Sequence, residues 1–156
     1  MTKLLTLILS ICAGMFFGGI AHASSAQDKI MDIKSLHSFN ETVERLENAV
    51  TSRDLKVIAK VEHSKGAAAA DLDLRPTVLV LFGHPKAGTP LMQLDQRVGL
   101  DLPLRVVVWE NAAGETILTY REPSFVSDAW ELDPTPPQIG GMTKAIAAIT
   151  AEAAGN

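Results

Sequence analysis

Residues 77–82 read TVLVLF, a run with neither charge nor polar alternation. It is too short for a buried helix, but it suits a strand inside a sheet. The missing alternation predicts a central strand, covered on both faces or lying deep beneath a helix. Directly after it comes GHPKAG (residues 83–88), a loop composition. Thr89 then reads as a helix N-cap, Pro90 fits the first helical position and Gly99 marks the helix end, with Leu91, Leu94 and Val98 on one face.

The remaining elements arrange themselves around that strand. Residues 30–36 predict a short first strand. Ser38 and Glu41 have capping-box spacing, in which each side chain satisfies a free backbone N–H. Phe39, Val43, Leu46 and Val50 follow at helical intervals, so the spacing predicts an amphipathic helix over 39–52. Residues 55–62 alternate, with Leu55, Val57, Ala59 and Val61 predicted on the core side of a strand. The alanine-rich residues 64–72 form a short helical piece. Residues 104–110 and 115–120 predict a hairpin turning at Gly114, with Trp109 close enough to pack with Tyr120. The proline-rich residues 123–137 read as irregular loop, and Ile139, Met142, Ile146 and Ile149 stripe a last helix over 139–153. This order predicts an α+β two-layer sandwich, a mostly antiparallel or mixed sheet with helices on one face.

The first residues belong to a different grammar. Lys3 supplies a basic start, residues 4–21 carry no charge, and Ala21, His22 and Ala23 form an A-x-A exit before Ser24. This is the pattern of a secretory signal peptide cleaved between Ala23 and Ser24. Gly14, Gly18 and Gly19 break the apolar stretch where a membrane anchor would be continuous. Residues 1–23 are therefore expected to be a signal peptide and residues 24–156 a single domain, released to the periplasm or secreted, with no membrane association after cleavage. The only cysteine, Cys12, leaves with the signal, so the mature chain has no disulfide, thiolate metal site or cysteine nucleophile. A formal charge of −4 without basic clusters argues against nucleic acid as partner.

The strings RPTVLVLFGHPKAGTPLM (residues 75–92) and VGLDLPLRVVVW (residues 98–109), with the Val61, Glu62, His63 segment and the Gly114 hairpin, resemble the domain-of-unknown-function family 302 (DUF302). The resemblance covers residues 28–153. It implies a compact α+β fold and a homodimer, and supplies no known reaction or cofactor. The family's pattern has asparagine where this chain has His84, so a site built on His84 would belong to this protein or a subgroup.

Four chemistries compete for the candidate residues. His63 ends a strand on its core-facing parity, which fits either a ligand-gripping imidazole or a buried histidine capping the next helix. Residues 83–92 carry a strand into a helix start, so free N–H groups at Thr89 to Met92, with Lys86, favour a small anion such as a carboxylate or a single phosphate. The spacing is not that of a nucleotide-binding P-loop. The competing reading is a turn required only by the fold. Copper-type binding by His63, His84 and Met92, with His37 in reserve, suits an exported protein but has no metal-ligand spacing. Acid–base catalysis lacks paired carboxylates, and Ser64 beside His63 is no nucleophile motif. The sequence therefore supports an exported binding or accessory module, with a periplasmic copper-type metal binder or a structural homodimeric interaction protein as alternatives, and no motif supports an enzyme. The module's ligand site is expected to comprise His63, His84, Lys86, Thr89 and Met92.

Overall fold

The computed structural model describes residues 29–133 and 135–156. The signal peptide, its Ala23/Ser24 cleavage point and Cys12 lie outside the described residues. The chain order is β1 (Ile30–Lys34), α1 (Phe39–Thr51), β2 (Lys56–Glu62), α2 (His63–Ala68), β3 (Thr77–Gly83), α3 (Pro85–Leu94), a 3₁₀ segment (Gln96–Leu100), β4 (Leu104–Glu110), β5 (Thr116–Arg121), α4 (Ser124–Ala129) and α5 (Pro137–Ala154). The strands form one five-stranded sheet in the order β1-β5-β4-β3-β2, with every pairing antiparallel. The expected α+β two-layer sandwich is the observed fold, with α1 and α5 packed together on one face of the sheet.

The core lies between that face and the two helices. Val80, Phe82, Val106, Val108 and Leu118 from the sheet meet Leu46, Val50, Ile146 and Ile149 from α1 and α5, all completely buried. Each such side chain contributes about 1.5–3 kcal/mol of transfer free energy. Ser38 caps α1 by accepting the Glu41 N–H at 3.4 Å. Only this half of the capping box forms, because the Glu41 carboxylate pairs with His37 Nδ1 at 2.9 Å. Tyr120 stands on the helix side, where burial pushes its phenol above the ordinary value despite a hydrogen bond with Thr150.

Among the described residues the other face of the sheet is open, so β3 is covered on one side only. Its even residues are buried, while Leu79 and Leu81 are half-buried on the open face. Trp109 stands on this open face opposite Ile117, and Tyr120 on the other opposite Val106, so the expected packing of Trp109 with Tyr120 does not occur. Trp109 instead donates its indole N–H to Thr119 Oγ1 at 2.8 Å. Residues 123–137 are less irregular than expected, since α4 forms within them.

The largest correction concerns β2. Its register with β3 shifts between Val57 and Ala59, a β-bulge at Ile58. A bulge inserts one unpaired residue and reverses side-chain parity beyond it. Val57 thus faces the helix layer opposite Phe82, whereas Ala59 and Val61 join Leu81 and Leu79 on the open face. Lys60 turns to the helix layer and pairs with Glu47 of α1 at 2.8 Å, which raises its pKa above the ordinary value.

Candidate functional site

Antiparallel pairing decides which of the expected site residues can meet. Lys56 at the start of β2 lies beside Gly83 at the end of β3, and Glu62 lies beside Val78. His63, following Glu62, is therefore at the opposite end of the strand pair from the residue 83–92 segment, roughly 20 Å away at about 3.4 Å per residue. The expected site combining His63 with that segment is not assembled. His63 is exposed at the first position of α2 rather than on the core side, because the bulge moved its strand's parity.

The residue 83–92 segment is helical earlier than its sequence suggests. Helix α3 starts at Pro85, and its N-cap is His84 rather than Thr89. Two prolines could have opened this helix. Pro85 does so, and Pro90 sits inside it, where its missing N–H forgoes a bond to the carbonyl of exposed Lys86. His84 Nδ1 accepts the Lys86 N–H at 3.0 Å, and His84 O accepts the N–H groups of Ala87 and Gly88 at 3.0 and 3.3 Å. The donors of the first turn are thus already used, and those of Thr89, Leu91 and Met92 lie inside the helix. An anion finds no open N-terminus here. Lys86 is exposed and does not line the adjoining cleft.

That cleft is the candidate site. It has a volume of about 490 Å³ and is bounded by Leu55 and Ile58 at the start of β2, the β3–α3 junction, Met92, the turn before β4, and Gly141, Met142 and Ala145 of α5. The bulge turns Ile58 outward, leaving it 59% exposed at the cleft. Four glycines, Gly83, Gly88, Gly99 and Gly141, contribute to the wall, and none has a positive φ. Backbone conformation does not require glycine at these positions, so what they supply is space. A Cβ at Gly88 would stand 3.3 Å from Leu102 Cδ1, and one at Gly99 would stand 3.3 Å from Met92 Sδ.

The chemistry of the wall is almost wholly apolar. Thr89 supplies a hydroxyl, and among the described residues His84 is the only titratable one lining the cleft. Because His84 Nδ1 accepts a hydrogen bond, it carries no proton, and the neutral ring bears its proton on Nε2. In this tautomer His84 has an Nε2–H donor. His84 and Met92 do share the cleft, but His63 is at the far end of β2, and among the described residues no three His, Cys, Asp or Glu side chains form a metal-holding group. His37 lies elsewhere, against Gly155. The sequence reading missed Ile58, the glycine wall and the contribution of α5. The spacing of Gly83, Gly88 and Gly99 is a signal in the sequence, but loop and helix-stop chemistry accounts for it equally well.

Comparison with known proteins places this geometry in context. Residues 31–152 match the family described as "Domain of unknown function DUF302". A crystal structure of an uncharacterised conserved DUF302 protein from Bacillus stearothermophilus has the same fold, with a TM-score of 0.74 at 20% identity, covering 80% of this chain and 98% of that one. Among curated proteins, two similar ones carry the name fluoride-specific ion channel FluC 1, from Brucella suis and Brucella abortus. Each is 35% identical over 95% of this chain, which spans 62% and 58% of their lengths, respectively.

Proposed function

The chain belongs to the DUF302 family, and on that premise we propose that it is an exported binding module whose apolar cleft holds a small, largely uncharged ligand. The carrying observation is the glycine wall: side chains are absent where the backbone does not demand glycine, and the space they leave is lined by Leu55, Ile58, Met92 and Met142. A cleft of about 490 Å³ has the size and apolar character of small-molecule sites. The Nε2–H of His84 and the hydroxyl of Thr89 are the groups available to orient an acceptor atom on the ligand. Export rests on the signal-peptide pattern of residues 1–23.

An uncharged environment-sensitive dye, N-phenylnaphthylamine, tests the reading. Its fluorescence is expected to rise saturably with the protein, and octanol is expected to displace it better than octanoate, because the wall offers no cation to a carboxylate. Stronger displacement by octanoate would return the site to the anion reading. No saturable signal would overturn the binding proposal.

A second reading comes from the curated relatives. No helix among the described residues is long and apolar enough to cross a membrane. On this reading the segment shared with the named fluoride channels serves as a companion to such a channel, and the present domain acts beside one. A strain lacking the chain would then be hypersensitive to fluoride and rescued by its return. Unchanged sensitivity would sink this reading.

A further inference from the structure

The open face of the sheet carries an arrangement the cleft does not use. One step beyond the Val106–Tyr120 pair, in the same register, Arg105 of β4 and Arg121 of β5 are cross-strand neighbours. Ile30 flanks Arg121 on one side and Leu81 flanks Arg105 on the other. Like charges directly opposite on a sheet destabilise it, and a guanidinium cannot shed its proton to escape.

The local counter-charge is incomplete. Arg105 donates to Leu100 O at 3.1 Å and stands 3.8 Å from Asp101 Oδ1, whose other oxygen accepts the Trp130 indole N–H at 2.8 Å. Arg121 lies over the Phe125 ring at 4.2 Å, and no carboxylate oxygen among the described residues comes within 4.0 Å of it. Stacking occupies the flat face of the Arg121 guanidinium and leaves its in-plane N–H donors for another partner. Both arginines line a cavity of about 280 Å³ together with Ile30, Val107, Thr119 and Phe125, and the carboxylates of Asp101 and Glu122 line it too, although only Asp101 comes within 4.0 Å of either guanidinium.

We propose that Arg105 and Arg121 form a binding site for a small oxyanion, a carboxylate or a phosphate, carried on an apolar body that rests against Phe125, Val107 and Ile30. The paired guanidiniums supply forked donors suited to two oxygens of one acid group. The half-buried apolar neighbours favour a ligand with a hydrocarbon portion over a bare ion. The site shares Leu104 with the glycine-walled cleft but none of its glycines, and does not depend on it.

Amide-resolved titration of the whole chain with benzoate and, separately, inorganic phosphate tests the proposal, with chloride at matched ionic strength as reference. Benzoate is expected to shift the amides of Val107 and Thr119 saturably and to bind about tenfold more tightly than phosphate, because its ring is desolvated. Arg121→Gln is expected to weaken benzoate by about tenfold or more through loss of a charge-assisted fork. The same variant melts no lower than wild type in chloride, since it removes one of two opposed charges. Gly141→Leu, across the sheet, leaves benzoate binding unchanged. The proposal is overturned by shifts that chloride reproduces, by a lack of saturation, or by equal benzoate affinity in Arg121→Gln.

Discussion

Gly141 separates the space of the cleft from the stability of the fold. It lies on the fifth residue of α5, and a Cβ built there meets nothing within 4 Å. Replacing a helix-interior glycine by alanine is worth about 0.8–1 kcal/mol, with no clash to set against it here. Gly141→Ala is therefore expected to raise the melting temperature by roughly 2–6 °C for a domain of this size. Leucine has nearly the same helix preference, so Gly141→Leu keeps most of the gain, about 0.5–1 kcal/mol. Its side chain, however, fills the cleft that Gly141 helps to wall. Gly140→Ala is the control, because Gly140 also has open space around its Cβ but does not line the cleft. Thermal melts and N-phenylnaphthylamine titrations on the three variants should give three stabilised proteins, of which only Gly141→Leu has lost the dye. A Gly141→Leu protein that binds the dye as well as wild type would refute the reasoning about the cleft. A destabilised Gly141→Ala would refute the reasoning about the helix.

Three further outcomes follow from named contacts. His84→Ala should lose about 1 kcal/mol in urea denaturation as the α3 cap disappears, whereas His84→Asn, which keeps an acceptor at the cap, should stay within a few tenths; equal losses would remove the capping role. Gly155→Ala should cost about 2 kcal/mol, because Gly155 has φ +83° and its Cβ would stand 2.6 Å from His37 Nε2. An unchanged midpoint in denaturant would contradict this. Lys60 and Tyr120 both titrate above their ordinary values of 10.5 and 10.0, so their stabilisation is complete below those values and is lost as pH rises through the folded-state ones. Asp95, held down by Arg97, and Glu115, held down by Lys34, titrate below 3.8 and 4.5, so their stabilisation is present above those values and is lost as pH falls through the lower folded-state ones. Melting temperature against pH should show both edges, and Tyr120→Phe should soften the alkaline one.

The two-layer architecture was legible because its signals are periodic. The stripes of α1 and α5 and the hairpin of β4 and β5 each repeat a spacing that burial enforces. The bulge at Ile58 was not legible, because the apolar residues of 55–62 keep one unbroken parity, whereas pairing with β3 puts Val57 on one face and Ala59 and Val61 on the other. That shift exposed Ile58 at the observed site, while the antiparallel pairing of β2 with β3 put His63 at the far end from residues 83–92. The start of α3 was misplaced for a related reason. Thr89 and Pro90 are good start signals, but His84 and Pro85 also provide a cap and a first-turn proline, and tertiary placement selects the earlier pair. The asparagine that the family resemblance puts at this position is itself a preferred N-cap. A histidine in its place, read as potential chemistry, is thus first a helix cap. The cleft escaped notice because it is made from absent side chains on segments far apart in sequence.

Mapping N-phenylnaphthylamine onto the protein by amide chemical shifts tests the central claim most directly. The account places the perturbed amides around Ile58, Gly83, Gly88, Gly99 and Gly141, all bordering one cleft. Perturbations gathered instead on the open sheet face at Val107, Trp109 and Thr119, or absent altogether, would contradict it.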